Sequence, residues 1–127
     1  MAPRQDHGRT FRFEVEERQQ KVADIEAMIE DFSRVAEELD RQVRYEEQRA
    51  GISDPAHFAY PIYAKAARQR RDNLYASIRE LSEKLEEARE ALENARSELE
   101  AAEMAANRGT ARSVRRRTSS HAAPARD

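Results

Sequence analysis

Residues Arg49-Ala50-Gly51-Ile52-Ser53-Asp54-Pro55, continuing to Tyr60-Pro61, are the only place between Thr10 and Asn107 where glycine and proline interrupt a strongly helical pattern. Gly51 suits the left-handed residue that closes many helices, and Asp54 followed by Pro55 reads as an N-cap and first-turn pair. One helix is predicted to end here and another to begin. If the two fold back on each other, the stretch is the tip of an antiparallel hairpin, with both termini at the far end.

Toward the N-terminus a heptad runs from Phe11. Val15, Val22, Ile29, Ala36, Val43 and Ala50 fall on a, while Phe11, Arg18, Ile25, Phe32, Leu39 and Glu46 fall on d. Ten of these twelve positions are apolar in a chain that is 39% hydrophobic, so the period marks a helix that buries a seam. Toward the C-terminus, Tyr60-Pro61 is a second interruption. Proline removes a donor and pushes the preceding residue out of the helical region, so residues 54 to 60 are expected to form a short helical turn meeting the main helix at a kink. From there Ala64, Arg71, Ile78, Leu85, Leu92, Leu99 and Ala106 take a, and Tyr60, Ala67, Leu74, Leu81, Ala88, Ala95 and Ala102 take d.

The expected fold is all-α: an antiparallel coiled-coil hairpin with helix one at about 11–50, the tip at 51–60, helix two at about 61–107, and disordered ends at 1–10 and 108–127. A turn confined to Gly51–Asp54 sets Phe32 near Leu74, Ile25 near Leu81 and Phe11 near Ala95. Arg18, Glu46 and Arg71 interrupt the seam and are expected to set its register.

Composition agrees with a rod rather than a globule. The chain has 127 residues, 38% of them charged, with three Gly, four Pro and no Trp. The absence of cysteine removes disulfides, thiolate metal sites and cysteine nucleophiles, and it suits a reducing compartment. No apolar run approaches the roughly 20 residues that span a bilayer. Met-Ala-Pro-Arg-Gln-Asp at the start lacks the apolar region of a secretory signal, so the expectation is a soluble, cytoplasmic protein.

Charge is unevenly placed. Phe11 to Asp40 holds ten acids and four bases, and Asp72 to Ala106 holds the same numbers. Between them, Arg41 to Arg71 carries seven bases (Arg41, Arg44, Arg49, Lys65, Arg68, Arg70, Arg71) against three acids. The tip is basic and the stem acidic. Tyr45, Phe58, Tyr60 and Tyr63 cluster at the same end, more aromatic surface than a narrow seam can cover. Aromatic side chains beside arginines commonly anchor interfaces, so Tyr60, Tyr63, Lys65, Arg68, Arg70 and Arg71 are the candidate partner-binding residues, steering an acidic surface.

Catalysis is not expected. His7, His57 and His121 lie apart in the lead, tip and tail, and three isolated glycines build no phosphate-cradling loop. A carboxylate pair acting as acid and base needs a concave, water-excluding site, which two helices do not enclose. No cofactor, metal or small-molecule substrate is expected.

The run from Arg49 to Pro61, with Tyr63-Ala64-Lys65-Ala66-Ala67 and Arg70-Arg71-Asp72-Asn73-Leu74 after it, resembles the FliJ family of flagellar export proteins, in particular its alphaproteobacterial members. The resemblance extends over roughly residues 11 to 100, and the tip is its distinctive part. It implies a cytoplasmic coiled-coil component of the flagellar type III export apparatus. Its partners would be the export ATPase ring, the export-gate membrane protein and substrate chaperones, and the rod would couple ring to gate. The ends, residues 1–10 and those from Arg108 onward, depart from the family pattern.

Two other function classes fit the residues. A generic dimerising coiled-coil adaptor would use the same seams, and Arg115-Arg116-Arg117 suits nucleic acid or an anionic surface.

Overall fold

Pro3 opens the first helix of the computed structural model, which describes residues 3–122 and the side chains of residues 8–116. Helix α1 spans Pro3–Ala50 and helix α2 spans Ile62–Ala122, with no strand among the described residues. Proline suits a first helical turn, where its missing N–H has no partner to lose.

Both helices run past their expected bounds. The lead from Pro3 and the tail to Ala122 are helical, while residues 1–2 and 123–127 lie outside the described residues. Gly8 and Gly109 interrupt these ends, but one glycine costs only about 1 kcal/mol relative to alanine. The Arg, Gln and Ala around them favour helix. Beside Gly109, the Thr110 hydroxyl donates to the Ala106 carbonyl at 3.0 Å within the continuing helix.

Gly51 ends α1 as expected. Its φ is 69°, and its N–H and that of Ile52 both donate to the Glu47 carbonyl, at 2.9 and 3.2 Å. This left-handed cap satisfies a carbonyl that the helix leaves open.

The heptads are observed. All eleven apolar residues buried among the described ones (Ile25, Ala36, Leu39, Val43, Tyr60, Ala64, Ala67, Leu85, Ala88, Leu92 and Ala95) occupy assigned a or d positions. The chain divides into two units. In the unit Lys21–Ala88 the helices pack as an antiparallel hairpin. One cluster there joins Ile25 to Leu85 and Ala88, flanked by Val22, Ile29 and Leu81; another joins Leu39 and Val43 to Ala67, flanked by Leu74.

The register differs from the one expected. Ile25 lies in the cluster of Leu85 and Ala88 with Leu81 at its border, a shift of about one helical turn along α2. The connection is longer than Gly51–Asp54: it runs to Pro61, so facing positions move outward on α2.

The other unit contains the described residues up to Gln20 and from Arg89 onward. Leu92 and Ala95 are its buried residues, and Phe11, Val15 and Leu99 are half-buried. Arg18, at a d position, turns its guanidinium to Glu14 on its own helix at 3.3 Å. The two line a hollow of about 210 Å³ with Ala91, Asn94, Ala95 and Glu98.

Candidate functional site

Between the helices the tip is two consecutive turns rather than a helical turn. Asp54 accepts the Ala56 N–H on its side-chain Oδ1 at 2.9 Å and the His57 N–H on its carbonyl at 3.0 Å. His57 repeats the pattern one step on: Nδ1 accepts the Ala59 N–H, and the carbonyl accepts the Tyr60 N–H, both at 3.0 Å. A side chain that accepts two residues downstream closes a local turn instead of starting a helix. Pro61 then offers its carbonyl to Lys65 at 3.0 Å, and α2 begins.

The six candidate residues separate into two groups. Tyr60 is 8% exposed and belongs to the packing. Its hydroxyl donates to Glu47 Oε2 at 2.8 Å, and the Arg68 guanidinium lies 3.9 Å from the same oxygen. Burial, then the Glu47 carboxylate, raises the Tyr60 pKa above its ordinary value. One heptad along, Arg71 Nη1 donates to Asp40 Oδ1 at 2.8 Å, and Tyr75 donates to Asp40 Oδ2 at 2.9 Å. Arg71 also reaches Asp72 at 3.1 Å, and its bond to Asp40 heads the causes that hold it protonated. Tyr60, Arg68 and Arg71 therefore clamp α2 to α1. The two guanidiniums are paired with Glu47 and Asp40 across the helices.

Tyr63, Lys65 and Arg70 face solvent. With them stand two side chains outside the candidate set. Phe58 is 96% exposed at the crest of the second turn, its ring stacked on His57 at 4.8 Å, and Ile62 is 81% exposed on the first turn of α2. Tyr63 is 72% exposed and Tyr45 is also exposed. An aromatic held open on a hydrogen-bonded turn loses little freedom on binding, the property of a preorganised anchor. Ile62 was legible in the sequence as an isoleucine at the outermost heptad position, opposite the seam.

Around this apolar set, Arg49, Lys65 and Arg70 are exposed and make no ion pair among the described residues. A cleft of about 340 Å³ lies along the last turn of α1, lined by Arg44, Glu47, Gln48, Gly51, Ile52 and Ser53. Its one carboxylate, Glu47, is already engaged by Tyr60. Among the described residues no group of His, Cys, Asp or Glu is placed to hold a metal ion, and no helix is long and apolar enough to cross a membrane. The tip presents exposed apolar side chains and positive charge. Comparison with family models, with curated proteins and with solved structures gives no match.

Proposed function

We propose that the protein is a non-enzymatic, cytoplasmic component of the flagellar type III export apparatus, a coiled-coil element that links the export ATPase ring to the export gate and escorts substrate chaperones. The reading starts from the resemblance of residues 49–74 to the FliJ family. The observation that carries it is the exposure of Phe58, Ile62 and Tyr63 on a hydrogen-bonded tip flanked by Lys65 and Arg70. In this reading the apolar side chains enter a hollow on an acidic partner, and the free cations steer the approach.

The test is capture of partners from flagellated cells by the tagged protein and by a Phe58→Ala/Tyr63→Ala/Arg70→Glu variant. The wild-type chain is expected to retain the export ATPase or the gate protein. The variant should lose the tip's partner and swimming motility while keeping its helicity and melting temperature. Absence of both export proteins from the wild-type capture, or normal swimming by the variant, would sink the reading. Reversal of Arg68 is the wrong test, because it would break the contact with Glu47 as well.

A further inference from the structure

Continuation of α2 through Gly109 places a graded stripe of charge on one helical face, opposite the seam. At 3.6 residues per turn, Glu90, Asn94, Glu98, Ala101, Met104, Ala105, Arg108, Arg112, Arg115 and Arg116 fall within about a third of the circumference. All of them are exposed. Glu90, Glu98 and the four arginines make no ion pair among the described residues. The stripe is acidic at one end, apolar and small in the middle, and basic at the other end, with Met104 53% exposed near its centre.

We propose that this face docks a second copy of the chain, with the two stripes antiparallel about a two-fold axis near residue 103. Glu98 then faces Arg108, Glu90 faces Arg116, Asn94 faces Arg112 and Ala101 faces Ala105, each pair occurring twice. A two-fold contact must be self-complementary, and this order of charges is. A parallel pair would set arginine on arginine and glutamate on glutamate. Ala101 and Ala105 allow close approach of the backbones, and Met104 adapts to the space they leave. The contact extends over about 40 Å of helix.

Other occupants fit less well. A nucleic acid would be attracted by the basic third and repelled by Glu90, Glu98 and their neighbours. A bilayer would find only Met104 and two alanines to insert. The contact rests on exposed ion pairs, so it is weak, reversible and sensitive to salt. It uses neither the tip nor the seam and stands apart from the export reading.

Sedimentation of the full chain over a range of concentrations tests it. The expected result is a monomer–dimer equilibrium at about 50 mM salt whose dissociation constant rises about tenfold or more by about 0.5 M. R108E/R116E should weaken dimerisation by a similar factor with unchanged helicity. E90R/E98R/R108E/R116E, which leaves net charge unaltered, should restore it. A wild-type chain that stays monomeric at low salt would overturn the proposal. So would a dimer indifferent to R108E/R116E, which would point to exchange of the seam, or a four-fold variant as weak as the double one.

Discussion

Asp40 accepts hydrogen bonds from Arg71 and Tyr75 on the facing helix, and its ionisation is tied to that geometry. Burial raises its pKa, but the bonds from Arg71 and Tyr75 and the charges of Arg71 and Arg44 outweigh it, leaving the carboxyl below its ordinary 3.8. A carboxylate depressed in the folded state contributes stability that is complete above its unfolded pKa and fades as pH falls through its folded one. Asp40→Asn is therefore expected to cost about 1–2 kcal/mol in urea denaturation at neutral pH. The gap between wild type and variant should close as pH falls below 3.8. Tyr60 behaves in the opposite sense. Its pKa is raised from 10.0, so its contribution is complete below pH 10.0 and is lost as pH rises through the folded value. Tyr60→Phe should cost about 1 kcal/mol at neutral pH and remove that alkaline loss, both readable from chemical denaturation.

At the scale of elements, the end of α1 depends on one backbone conformation. A Cβ on Gly51 would meet nothing within 4 Å, so the φ of 69° alone sets the cost of a substitution there. Gly51→Ala should lower stability by about 1–2 kcal/mol and Gly51→Asn by less, because asparagine tolerates the left-handed region. Thermal melts of the two variants would separate this from a packing effect, which would penalise the larger asparagine more. Leu39, packed with Val43, Ala67 and Leu74, is a test of the seam. Leu39→Ala should cost about 2–4 kcal/mol, toward the low side of the usual range if the narrow seam relaxes, whereas Glu83→Ala on the outer face should change stability by less than about 0.5 kcal/mol. The seam was readable because a 3.5-residue apolar period is a local property of the chain. Its alignment was not, since the length of the connection depends on how far the turns of Asp54 and His57 carry the chain before α2 starts.

Across the whole chain, charge and packing follow different boundaries. Buried seam residues run from Ile25 to Ala95, while α2 continues to Ala122 with residues 110–116 all exposed. Helix held by propensity alone opens readily. In the monomer, at about 0.5 M salt, hydrogen exchange should therefore find the amides of residues 108–116 far less protected than those of residues 64–92, and equal protection there would show that the extension is held by more than helix propensity. The basic tip was legible as a count of seven cations, but the count could not divide them. Arg68 and Arg71 pair with Glu47 and Asp40, carboxylates more than twenty residues away in sequence, while Lys65 and Arg70 are exposed and make no ion pair among the described residues. Two helices, their seam positions and the place of the bend follow from the order of residues alone, because periodicity, glycine and proline act through neighbouring residues. The register, the reach of the helices into lead and tail, and the division of the tip residues into those that clamp and those that face solvent emerge with the folded chain. Those depend on which groups the folded chain brings within a few ångströms of one another.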